Sequence, residues 1–214
     1  MCFNYKVSLL TFSIGTIFSL LLYKYGNKNY SVENKVTGIY FIFIAAIQFM
    51  DFLFWIDIDN KLGINKITTI LGPFLNTCQP LILYLIKYIY YKPDVFTLTN
   101  YNLPVAILNL LYLILFLLGY KQFITYSKLV TKPENGHLKW PWLEYAHPYF
   151  YLILITINTF YLFNFKYASS IFIIVKFFLF LSAKFFNYHI GEIWCFFGSF
   201  TPLILLFLSF YLTN

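Results

Sequence analysis

Apolar residues in this chain come in long uninterrupted runs, and the polar residues come mostly in the short gaps between them. A helix needs roughly 20 apolar residues to cross a hydrocarbon layer about 30 Å thick. Seven segments meet that length, over residues 7–23, 36–56, 67–90, 103–120, 149–165, 169–186 and 190–212. Turn-rich polar stretches such as Lys24-Tyr25-Gly26-Asn27-Lys28-Asn29 and Asp57-Ile58-Asp59-Asn60-Lys61 separate them. The joint between the fifth and sixth, Lys166-Tyr167-Ala168, is the shortest. No small-residue cleavage site follows Tyr23, so the first run is kept as a span rather than a removed signal. The pattern predicts an all-α, polytopic membrane protein: seven transmembrane helices in one bundle, forming a single domain over residues 1–214.

Seven spans place the termini on opposite sides, the N-terminal side being face A and the C-terminal side face B. Polar residues inside spans are expensive and mark candidate sites. In the second span Gln48, Asp51 and Trp55 follow i, i+3, i+7 spacing and share one helical face. At 1.5 Å per residue, Asp51 lies about 8 Å and Gln48 about 12 Å below the face A end. The third span carries Cys78-Gln79-Pro80 near mid-membrane, where the proline frees a carbonyl one turn back, near Asn76, and favours a kink. The fifth span enters from face A past Glu144, His147 and Pro148, and the seventh past His189, Glu192, Trp194 and Cys195. Cys2 belongs to the same side. In the other half, Lys87, Asp94, Asn164 and Lys166 read as ordinary helix-end residues.

Composition agrees with the pattern: of 214 residues 60% are hydrophobic, 24% aromatic and 11% charged, and the mean hydropathy is +0.70. That much apolar surface exceeds what one soluble core hides. The net charge of +7 comes from 15 lysines without arginine. They sit singly between apolar runs, where they contact headgroups, and form no basic face for nucleic acid. Their distribution between the two faces fixes no orientation. Three cysteines are too few for a disulfide scaffold. Gly-rich phosphate loops, HExxH, GxSxG and CxxC are absent. The connection between the fourth and fifth spans contains Trp140-Pro141-Trp142-Leu143-Glu144, which suits an aromatic anchor or re-entrant segment in the headgroup layer.

Three chemistries fit the face A set. Thiolate, imidazole and carboxylate together suit a soft or borderline transition metal such as zinc or copper, with Cys2, His147, His189 and Cys195 as ligands. Asp51, Glu192 and Cys195 then carry redox or hydrolytic chemistry on a small or lipid-like substrate, and Gln48, Trp55 and Trp194 line the site. Alternatively Cys2 and Cys195 form a disulfide. The third option is a polar cavity for an ion or small molecule without covalent chemistry. A transporter or channel lined by Gln48, Asp51, Gln79 and Lys176, or a structural membrane component, are the competing functions. A retinal protein is disfavoured because the last span lacks a lysine, leaving Lys176 in the sixth in need of a carboxylate partner; Asp51 is the nearest in kind. The expected partners are the bilayer and a small-molecule, ion or lipid-like substrate, and no GxxxG argues for an oligomer.

Met1-Cys2-Phe3, Gln48-x-x-Asp51-x-x-x-Trp55, His147-Pro148-Tyr149-Phe150 and Trp194-Cys195-Phe196-Phe197 together resemble the motifs of a family of small seven-span membrane proteins found in bacteria and large DNA viruses. Its members open Met-Cys-Phe-Ser and carry Trp-Cys in the last helix. Asn4 stands here where that pattern has Ser, and Asp51 where bacterial members have Glu. The resemblance implies a multi-pass protein of a viral, host internal or plasma membrane. It supports the location of the site and implies no reaction.

Overall fold

A computed structural model describes residues 4–91, 102–134, 136–161, 163–185, 194 and 196–211. Eight helices lie among them: α1 (Tyr5–Tyr25), α2 (Ser31–Ile56), α3 (Ile64–Asn76), α4 (Gln79–Tyr91), α5 (Asn102–Tyr126), α6 (Pro148–Phe160), α7 (Phe165–Phe185) and α8 (Thr201–Tyr211). A two-stranded antiparallel hairpin, β1 (Lys132–Glu134) and β2 (His137–Lys139), and a 3-10 turn (Pro141–Tyr145) fill the connection from α5 to α6. The described residues are therefore all-α apart from this hairpin. Four helices, α1, α2, α5 and α7, are long and apolar enough to cross a membrane, and a fifth if α3 and α4 count as one bent span. The expected fifth and seventh spans contain shorter apolar helices, 148–160 and 196–211.

The amphipathy of α1 is inverted relative to a soluble helix. Its buried face is Ser8, Thr11, Gly15, Ser19 and Leu22, while Leu9, Leu10, Ile17 and Leu20 point outward. Small residues let two backbones approach closely when both partners are surrounded by lipid. A Cβ on Gly15 would stand 3.0 Å from the Ala45 Cβ of α2, and one on Gly38 would stand 2.7 Å from the Ser19 carbonyl oxygen. The helix starts at Asn4, whose side chain accepts from the Val7 N–H at 3.0 Å. At its far end, Asn34 of α2 donates to the Asn27 carbonyl and accepts from the Tyr167 hydroxyl, both at 2.9 Å. Asn27 in turn donates to the Ser209 carbonyl at 2.9 Å, so α1, α2, α7 and α8 meet at one polar knot.

The third expected span is broken. α3 and α4 meet at 57° across Thr77 and Cys78. Pro80 has no N–H to return to the Asn76 carbonyl, so the helix cannot continue through it without loss. A side chain from another helix bonds the backbone at the break: the Tyr112 hydroxyl of α5 donates to the Thr77 carbonyl at 2.8 Å.

The loop from α5 to α6 does not lie flat as an interfacial anchor. Trp140 and Trp142 are both buried and stack with centroids 5.2 Å apart and planes at 16°. With Ile47, Met50, Phe54, Phe123 and Leu138 they form a second core beneath the hairpin. Gly72 makes room for this plug, since a Cβ there would collide with the Trp142 ring. Thr131 clamps the loop to α3: its N–H donates to the Asn65 Oδ1 at 2.9 Å, and Asn65 Nδ2 donates to its carbonyl at 2.9 Å. The start of α3 is itself organised by Asp57, whose carboxylate accepts from the N–H groups of Leu62 (3.0 Å) and Asn65 (3.1 Å).

Candidate functional site

The i, i+3 spacing of Gln48 and Asp51 does place them together. Both are fully buried, and the Gln48 amide donates to Asp51 Oδ2 at 3.5 Å. The partner that sequence spacing did not indicate is Trp140, whose indole N–H donates to Asp51 Oδ1 at 3.1 Å. Both interactions present donors to the carboxylate, one to each oxygen. Trp55, the third member of the helical face, is partly buried and packs against the second core. Trp194 packs against this core and also against the larger one built around Leu22, Val36, Phe41, Leu83, Tyr167 and Leu205, so it sits between the two.

Of the other expected face A residues, the two that are described do not join this centre. Glu144 and His147 are exposed at the entrance to α6. Cys2, His189, Glu192 and Cys195 lie outside the described residues. Among the described residues, no group of three or more His, Cys, Asp or Glu side chains is placed to hold a metal ion. The expected Asp51 partner for Lys176 is not observed either: neither of the ion pairs among the described residues, Lys61 with Asp59 and Lys139 with Glu134, involves them.

Below Asp51 a series of bonded polar groups continues through the bundle, following the break between α3 and α4. The Trp142 indole N–H donates to Asn76 Oδ1 at 3.4 Å, and the Tyr151 hydroxyl of α6 donates to Gln79 Oε1. One turn further, Asn109 of α5 and Asn158 of α6 exchange amide hydrogen bonds at 3.1 and 2.9 Å. Asn158 also donates to the Pro80 carbonyl at 3.0 Å. Lys87 is not the end-of-helix residue its position suggests. It is fully buried, donates to the Asn158 carbonyl and to the Thr159 carbonyl (3.2 Å), and lies 3.8 Å from the centroid of the Phe163 ring. It thereby caps the last turn of α6, whose carbonyls have no partner within the helix. Asn109 and Asn158 carried a readable signal, since a lone amide in an apolar span needs a partner as a charge does.

No family model, curated protein or solved structure matches the chain.

Beside this ladder lies a cavity of about 390 Å³ bounded by α2, α6, α7 and Trp194. Its walls are mainly Phe41, Ile44, Leu152, Ile155, Ile171, Phe172, Val175 and Leu179, and it meets the ladder at Asn76 and Thr77. Most polar groups on its wall are engaged by the protein itself. Thr156 and Thr159 donate to carbonyls of their own helix, Asn76 accepts from Trp142 and Tyr151 donates to Gln79. Lys176 also lines it, with its ammonium 5.1 Å from the Phe172 ring centroid. A volume of this size falls among small-molecule pockets, which span roughly 300–1,000 Å³.

Proposed function

We propose that the protein is a seven-span integral membrane protein that holds a lipid-like molecule in the cavity between α2, α6 and α7. The observation that carries this reading is the cavity itself, with apolar walls inside a helical assembly whose outer surface is also apolar. Water gains nothing from filling such a space, whereas a hydrocarbon chain matches its walls. The bonded ladder then acts as the scaffold that ties α4, α5 and α6 together beside the cavity. Because its groups pair with one another rather than line an open path, the ladder favours a binding protein over a channel. The seven spans follow from reading α3 with α4 as one bent crossing and the short helices α6 and α8 as parts of two more.

Photolabelling tests the cavity. A long-chain alcohol carrying a diazirine, added to the protein in nanodiscs, should label Leu152, Ile155 and Val175. Labelling confined to outward residues such as Ile173 and Phe177 would overturn the reading. Topology tags at the two ends should report opposite sides of the membrane, and tags on the same side would exclude seven spans.

A further inference from the structure

Lys176 stands near the middle of α7, eleven residues after Phe165 and nine before Phe185. At 1.5 Å per residue both helix ends are about 14–16 Å away. From that height its four-carbon stem is too short to bring the ammonium to either headgroup layer, so the charge stays at membrane depth, where an isolated lysine is costly. Other lysines in the protein escape this cost in visible ways. Lys87 is held by two carbonyls and a ring, and Lys139 stands outside the spans on the exposed hairpin, where it pairs with Glu134 at 2.9 Å. Among the described residues Lys176 has only the ring of Phe172, one turn earlier on its own helix, and no carboxylate or hydrogen-bond acceptor. Its side chain is exposed, yet it is also part of the wall of the apolar cavity, so a ligand that fills the cavity has a cation at its edge.

We propose that this ligand is a single-chain anionic amphiphile of the fatty-acid class, its hydrocarbon chain in the cavity and its carboxylate on Lys176. The proposal rests on the reading of the cavity as a lipid site and adds the chemistry of the headgroup. A two-chain phospholipid fits less well on two grounds. Its phosphate belongs at the membrane surface rather than at mid-depth, and the volume suits one chain rather than two. A neutral long-chain alcohol would fill the same space and leave the ammonium without a counter-charge. A carboxylate accepts directly from the ammonium, and charge-assisted bonds of this kind are the stronger class.

The test compares oleate with oleyl alcohol as probes, titrated onto delipidated full-length protein in detergent and followed by native mass spectrometry. Wild type should bind one oleate per chain. Lys176→Gln should weaken oleate by about tenfold or more, the equivalent of losing one charge-assisted contact, and leave oleyl alcohol unchanged. Lys176→Arg, which keeps the charge, should retain oleate binding. Ile155→Trp, which fills the cavity, should abolish both ligands. Unchanged oleate affinity in Lys176→Gln would overturn the headgroup assignment while loss of both ligands in Ile155→Trp kept the cavity reading intact. Binding of both ligands unaffected by Ile155→Trp would overturn the cavity reading and this proposal together. Circular dichroism of each variant separates lost binding from lost folding, and oleate binding that persists in a folded Lys176→Gln counts against the proposal.

Discussion

Replacing Trp140 by Phe removes one hydrogen bond from a buried carboxylate and changes little else, which makes it a sharp perturbation of the polar centre. The indole N–H stands 3.1 Å from Asp51 Oδ1, and both side chains are essentially inaccessible. A hydrogen bond to a charged group contributes about 1.5–3 kcal/mol, against roughly 1 kcal/mol for a neutral pair. Phe keeps an aromatic ring against Trp142, so the stacking contribution of about 0.5–1.5 kcal/mol is largely retained. Trp140→Phe should therefore destabilise by about 2–3 kcal/mol, and the Trp140→Phe, Asp51→Ala double-mutant cycle should give a coupling of about 1.5–3 kcal/mol. The assay is denaturation by SDS in mixed micelles, followed by far-ultraviolet circular dichroism. If Trp140→Phe costs the same with and without Asp51, the bond contributes nothing and the argument that Trp140 anchors the α5–α6 connection to α2 fails. Trp142→Phe is the internal control. Its indole reaches only an amide oxygen, at 3.4 Å, so the loss should stay near 1 kcal/mol or below.

Three further outcomes follow from the same geometry. Gly72→Ala places a methyl group into the Trp142 ring and should cost about 1–3 kcal/mol by overpacking, read in the same SDS titration; no loss would show that the plug is loosely seated. Lys87→Met leaves the Asn158 and Thr159 carbonyls without their cap and should cost about 1–3 kcal/mol, the usual penalty for a buried acceptor left unpaired; an unchanged midpoint would remove Lys87 from the framework. Asp57 gives a pH signature. Burial works to raise its pKa, but the N–H groups of Leu62, Asn65, Ile64 and Lys61 outweigh that and hold it below the ordinary carboxylate value. A depressed folded pKa contributes stability that is present above the unfolded value and lost as pH falls through the folded one. Thermal stability should thus drop on acidification below the normal aspartate range, and Asp57→Asn should flatten that part of the profile; an identical profile in the variant would refute the cap.

What was legible in the sequence was whatever lies on one helix or depends on burial alone. The i, i+3 relation of Gln48 and Asp51 and the break before Pro80 are properties of a few consecutive residues, and both appear as expected. Trp140 over Asp51 was not legible, because the pairing spans 89 positions and depends on how a mostly polar connection folds back. Lys87 misled for a related reason. Its distance from the end of the apolar run is that of an anchor, and only the packing of α6 against α4 brings two carbonyls to it. The contrast between Lys87 and Lys176 is likewise invisible in composition. Both are single lysines in apolar segments, one answered by the fold and the other facing a cavity.

The inward stripe of Ser8, Thr11, Gly15 and Ser19 also bears on how the chain is made. α1 buries its face mainly against α2, the next helix to leave the ribosome, across a turn of only a few residues. While α1 stands alone its hydroxyls and bare backbone face whatever surrounds it, and the arrival of α2 covers them. The two helices are therefore suited to enter the bilayer as a helical hairpin onto which the later segments dock. Widening the α1–α2 contact, for example with Gly38→Leu, should hinder membrane integration itself.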